Sequence, residues 1–197
     1  MTEHSISPVR AFIAVELPAP VKSALKELQN SLSSASRAPV KWVNPENIHL
    51  TLKFLGNVPV DQIAPIAAAM KEATGDIHPF TLQLSGLGAF PSLRKVQVIW
   101  VGLGGALDFL QTLVGRLEND LEVLGFAREG RAFTPHLTLA RVQEKAAFLE
   151  MQELGLSLGR QRFEGGQIIP VEAVNLMRSQ LSREGPTYSC LESIRLK

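Results

Sequence analysis

At 197 residues, with 45% hydrophobic and 20% charged side chains, the chain has the composition of a soluble globular protein and can bury a sizeable core as one domain or two small lobes. Its formal net charge of +1 excludes a protein that coats long nucleic acid by bulk charge, though local basic patches stay open. The single cysteine, Cys190, excludes an intramolecular disulfide and a cysteine-based zinc cluster, and it fits a reducing, cytoplasmic setting.

The stretch Met1–Arg10 is polar, and the apolar run after it, Ala11–Leu17, is short and carries Glu16, so no secretory leader is expected. No segment approaches the ~20 apolar residues of a membrane helix. Phe12–Leu17 reads as a buried strand. Pro18 and Pro20 end it and suit a helix start, and Val21, Leu25, Leu28 and Leu32 then recur at helical spacing until a serine-rich stretch near Ser36. Val40–Val43 is a short strand, and Asn44-Pro45-Glu46-Asn47 is turn chemistry. Ile48–Leu55 is a strand stopped by Gly56. Asp61–Thr74 is an amphipathic helix with Ile63, Ile66, Ala67 and Met70 on one face. Thr81–Leu87 and Lys95–Leu103 are strands around a Gly88–Ser92 turn. Gly104-Gly105 leads into a helix, Ala106–Leu124. Phe133–Val142 is a strand, a short helix follows, and strands near Glu172–Leu181 and Tyr188–Leu196 close the chain across a Ser182–Pro186 turn. The expected class is α+β: two pseudo-symmetric lobes, each a mainly antiparallel sheet with helices packed outside. No linker, low-complexity tract or charge run divides residues 1–197, so the lobes are expected to form one bilobal domain.

One tetrapeptide occurs twice, as His49-Leu50-Thr51-Leu52 and His136-Leu137-Thr138-Leu139, about half the chain apart, and it uses two of only four histidines. Side chains alternate along a strand, so each copy puts an imidazole and a hydroxyl on one face and two leucines on the other. Brought together, the two polar faces would make a site with two proton-transfer groups and two hydroxyl donors. A metal site is the first alternative, but neither copy contains Asp, Glu or Cys, and threonine hydroxyls suit anions better than metals. A serine-nucleophile site lacks its Gly-x-Ser-x-Gly turn. Two histidines with hydroxyl donors therefore suit metal-free, cofactor-free acid–base work on a phosphoryl group.

Other features have plainer readings. Gly102-Leu103-Gly104-Gly105 lacks the residues of a dinucleotide or P-loop motif and reads as helix entry. His4 and His78 read as solvated, and Trp42 and Trp100 as core or lobe-interface residues. Arg94, Lys95, Arg128 and Arg131 are scattered surface cations, the last two placed before the second copy where they can attract RNA.

Glu46–Gly56 (ENIHLTLKFLG) and Phe133–Arg141 (FTPHLTLAR) resemble the two signatures of the 2H phosphoesterases, and Arg10–Pro18 (RAFIAVELP) resembles the opening strand of one branch. That branch is the bacterial and archaeal RNA 2′,3′-cyclic phosphodiesterases, historically called 2′-5′ RNA ligases. The resemblance implies a bilobal fold whose central cleft is lined by both motif strands, and opening of a 2′,3′-cyclic phosphate to a 2′-phosphomonoester without a metal. Carried over by position, His49 resembles the proton donor and His136 the proton acceptor. Thr51, Thr138 and Arg141 resemble the phosphate-binding residues, and Phe54 the residue that stacks on the terminal base. Phe54 and Arg141 each lie five residues after their histidine, an odd offset that puts them on the wrong face of a regular strand. A bulge or strand end would re-aim them.

The expected reaction is in-line displacement at phosphorus on RNA ends or cyclic nucleotides, by a monomeric enzyme. Run backwards with an RNA 5′-hydroxyl, the same site would form a 2′-5′ linkage. The rivals are an RNA-end- or nucleotide-binding module without useful turnover, and a phosphodiesterase acting on a cyclic ADP-ribose derivative.

Overall fold

The structure is a computed structural model that describes residues 7–35, 38–183 and 185–197; His4 and Ser36 lie outside the described residues. In chain order the elements are β1 (Val9–Glu16), α1 (Ala19–Ala35), β2 (Val40–Trp42), β3 (His49–Val58), α2 (Ile63–Thr74), β4 (Phe80–Ser92) and β5 (Lys95–Gly105). Then come α3 (Leu107–Val123), β6 (His136–Val142), α4 (Phe148–Arg160), β7 (Ile168–Val171), β8 (Ala173–Ser182) and β9 (Gly185–Arg195). The strands form two antiparallel sheets, ordered β3-β1-β8-β9 and β2-β6-β5-β4-β7. The class is α+β, as the alternation of periods in the sequence predicts, with one motif strand in each sheet.

Alternation along the motif strands decides where the core lies. Leu50, Leu52, Leu137 and Leu139 are buried in one apolar cluster with the helix residues Leu25, Leu32, Ile66, Leu113 and Leu117. His49, Thr51, His136 and Thr138 are left half-buried on the opposite faces. The two sheets approach each other at β3 and β6, which brings the two motif strands close together.

The lobes are interleaved along the chain rather than being its two halves. Helix α1 leaves β1 of the first sheet but is fastened to β6 of the second. Helix α3 leaves β5 of the second sheet but is fastened to β3 of the first. The closing strands β8 and β9 return to the first sheet.

Several boundaries differ from the sequence expectation. Strand β3 continues past Gly56 to Val58, because a glycine at φ 73° bends the strand without ending it. Gly88–Ser92 is not a turn: it belongs to β4, and the reversal falls at Leu93 and Arg94. Gly88 sits across from Trp100, and a Cβ there would lie 2.3 Å from the indole, so the glycine makes room for the ring rather than for a turn. Gly102–Gly105 finishes β5 instead of opening a helix, and α3 starts at Leu107. Phe133–Pro135 precedes β6 without joining it; Pro135 has no N–H for the ladder. Strand β7 escapes the sequence pattern because it has four residues including Pro170, which an edge strand paired only to β4 tolerates.

Candidate active site

Each motif histidine is held the same way. The segment before β3 folds as a short 3-10 turn, Pro45–Asn47, whose start is capped by the Asn44 side chain accepting from the Glu46 N–H at 3.1 Å. The Asn47 carbonyl leaves that turn and lies 2.8 Å from Nδ1 of His49. The Thr134 carbonyl likewise lies 2.7 Å from Nδ1 of His136. A carbonyl only accepts, so Nδ1 carries the proton in both rings, and each Nε2 is the nitrogen free for chemistry.

Aromatic rings back both imidazoles. Phe12 stacks on His49 with centroids 4.6 Å apart, and Tyr188 meets the same ring edge-on at 5.1 Å. On the other side Phe90 meets His136 edge-on at 4.9 Å, and Trp100 lies 6.3 Å away. Trp100 thus stands half-buried beside the His136 ring. Burial among the rings pushes the His49 imidazole below the usual histidine range, because a charge there loses water; the Asn47 carbonyl opposes this in part.

Hydroxyls and a cation accompany the imidazoles on the motif strands. Neither the Thr51 nor the Thr138 hydroxyl has a protein partner among the described residues, so both can donate to a ligand oxygen. Arg141 makes no ion pair among the described residues, and its charge acts on Tyr188 of the other sheet, on which Arg10 of Tyr188's own sheet also acts. Burial is the larger influence on that phenol and holds it above its usual value.

Both awkward offsets are resolved by bulges. In the β1–β3 ladder Ile13 faces Lys53 and Ala14 faces Thr51, so Leu52 is an extra residue. In the β5–β6 ladder Ile99 faces Ala140 and Trp100 faces Thr138, so Leu139 is extra. The fourth residue of each tetrapeptide is therefore the bulge. One added residue restores parity, and Phe54 and Arg141 return to the face of their histidines. Phe54 is 62% exposed, with its ring 6.3 Å from Phe12.

All six expected site residues, His49, Thr51, Phe54, His136, Thr138 and Arg141, thus lie on the half-buried or exposed sides of β3 and β6, opposite the buried leucines. Arg10 and Phe12 lie in the opening-strand segment Arg10–Pro18, whereas Tyr188 and Phe90 carry no motif signal of their own. Of the remaining expectations, His78 is exposed at the surface, with Nδ1 2.7 Å from the Lys197 carbonyl. Trp42 packs against the core, and Arg128 is paired with Glu122 at 2.9 Å. No helix is long and apolar enough to cross a membrane among the described residues.

Comparison with known proteins identifies the family. The LigT-like phosphoesterase family matches residues 15–100. An RNA 2′,3′-cyclic phosphodiesterase of Methanothermobacter thermautotrophicus is 36% identical over 188 residues, covering 95% of this chain and 99% of the relative. Another, from Aeropyrum pernix, is 34% identical over 87% of this chain and 94% of its own. Among solved structures, one from Thermus thermophilus superposes with a TM-score of 0.75 at 31% identity, covering 95% of this chain and 97% of that one. Escherichia coli LigT complexed with 3′-AMP superposes with a TM-score of 0.73 at 25% identity, covering 96% and 98%.

Proposed function

Because this chain belongs to the LigT-like phosphoesterases, we propose that its paired imidazoles open RNA 2′,3′-cyclic phosphate ends by acid–base catalysis. The protein is a phosphoric diester hydrolase of the RNA 2′,3′-cyclic phosphodiesterase kind. The observation that carries the mechanism is the matched pair of Nδ1–carbonyl bonds, which leaves two Nε2 atoms and two unpartnered threonine hydroxyls on the motif strands.

In this reading Nε2 of His136 takes a proton from water as the oxygen attacks phosphorus. The P–O3′ bond breaks, and Nε2–H of His49 protonates the departing 3′ oxygen. The phosphate stays on the 2′ oxygen. Thr51, Thr138 and Arg141 donate to the non-bridging oxygens, where charge must be stabilised as it develops. Phe54, open to solvent on the same face as His49, stacks on the terminal base and fixes the ribose. With an RNA 5′-hydroxyl attacking in place of water, the same ring opening forms a 2′-5′ bond. Both histidines come from one chain, so a monomer is complete, and the setting is cytoplasmic. The choice of oxygen tests the assignment: phosphorus NMR of the product from a 2′,3′-cyclic-phosphate oligonucleotide should show mainly the 2′-phosphate. A mainly 3′-phosphate product reverses the roles of the two histidines.

The aromatic burial of His49 predicts a split between two pH profiles. An acid must be protonated, so rate falls as pH rises through its pKa. In the free enzyme that pKa is held below the usual histidine value. A bound phosphate anion favours the imidazolium and pulls it back up. The alkaline limb of kcat/KM should therefore lie at lower pH than the alkaline limb of kcat. Coincident limbs would contradict the donor role of His49.

The motif strands offer an anion hydroxyls and imidazoles but no carboxylate or thiolate. Activity should accordingly survive exhaustive chelation and gain nothing from added zinc, magnesium or manganese.

A further inference from the structure

Behind each motif strand lies a buried polar side chain that the acid–base reading leaves unused. Gln29 of α1 is 6% exposed, and its Nε2 donates to the Leu139 carbonyl at 3.0 Å and to the Val43 carbonyl at 2.8 Å. Leu139 is the bulge of the second motif strand, and a bulge disrupts the ladder around its extra residue. The Leu139 carbonyl already accepts the Val43 N–H at 2.9 Å, and Gln29 adds a second donor to it, bracing the bulged residue and the Val43 peptide after β2 from the helix side while satisfying its own buried amide.

The first motif strand is fastened by the mirror arrangement. Lys53, the residue after the bulge, is 2% exposed, and its Nζ donates to Glu118 of α3 at 2.7 Å and to the Ala127 carbonyl at 2.8 Å. The same Glu118 oxygen accepts the Glu129 N–H at 3.2 Å, which ties down the segment leading to the second motif. In an unbulged register Lys53 would point into the cleft and Phe54 into the core. Glu118 would then be a largely buried carboxylate without its partner, which is costly. Pairing with Glu118 thus selects the register that presents Phe54.

We propose that Gln29 and the Lys53–Glu118 pair are positioning residues that hold the two bulges, and through them aim Arg141 and Phe54 at the substrate. Each is fastened from the helix that leaves the opposite sheet, so the interleaving of the chain sets the geometry of both halves of the site. The inference rests on the catalytic reading above.

A double-mutant cycle tests it, with hydrolysis of 2′,3′-cyclic AMP as the readout and thermal unfolding measured on every variant. Gln29→Met keeps the length and removes the donors. It should lower kcat/KM roughly tenfold, since displacing a contact by ~1 Å costs up to ~10²-fold. On an Arg141→Ala background the same change should cost less than about twofold, because its effect is already gone. Equal costs on both backgrounds, or no cost on either, would overturn the proposal while leaving the two-histidine mechanism standing. An inactive wild-type enzyme would instead sink that mechanism. Should Gln29→Met fail to fold, Glu118→Gln with Phe54→Ala gives the corresponding cycle. Glu118→Gln should raise KM more than it lowers kcat, and should add nothing once Phe54 is gone; additive costs there would overturn the proposal equally.

Discussion

Replacing His49 or His136 with alanine should each lower kcat/KM by ~10²–10⁴-fold, the range for losing one positioned proton-transfer group. The loss arises from the missing Nε2, because both rings spend Nδ1 on a backbone carbonyl and have no second nitrogen to offer. The double variant should fall far short of the product of the two single losses, since without one proton transfer the other gains little. Stability should change little at His136, while His49→Ala also empties a slot between Phe12 and Tyr188. Steady-state kinetics on a cyclic-phosphate oligonucleotide decides the matter. Turnover within a fewfold of wild type in either single variant would show that other groups move the protons. A protein that binds the cyclic end tightly but never turns it over, in wild type as in both variants, would be a binding module instead.

The second large effect is on stability. Lys53→Met should destabilise the fold by ~3–5 kcal/mol, because it strands a largely buried carboxylate on Glu118 and orphans the Ala127 carbonyl. For a chain of this size that corresponds to a fall in Tm of roughly 6–20 °C. Lys53→Met with Glu118→Leu should recover much of the loss, since an apolar pair of similar volume replaces a buried ion pair at little or no cost. Thermal and denaturant unfolding of the three variants measures both numbers. A single variant as stable as wild type would mean that the pair is solvated in solution. A double variant as unstable as the single would mean that the cost lies in packing rather than in charge.

These two predictions draw on different levels of information. The histidines were legible in the chain because a repeated tetrapeptide rarely arises by chance, and because alternation alone puts His and Thr together. The helices α1, α2 and α3 were equally legible, their leucines and isoleucines recurring at helical spacing over several turns. Short or irregular elements were not. Strand β7, with Pro170 inside it, has no periodicity to read. The Gly88–Ser92 segment carries turn residues and still stays extended, because the Trp100 ring occupies the space a side chain at Gly88 would need.

The sequence by itself determined the residue chemistry of the site, the face each motif presents and the α+β class, because all three depend on composition and local period. Only the tertiary structure decided that α1 and α3 cross between the lobes, that Phe12, Tyr188, Phe90 and Trp100 wall the imidazoles, and that Leu52 and Leu139 are extra residues. A bulge is a property of two strands compared, one chain segment counted against another, and no single strand records it. For the same reason nothing local in the sequence marks Lys53, which stands in the structure as a buried cation. Its burial depends on Glu118, sixty-five residues later, reaching back from a helix that belongs by connection to the other sheet.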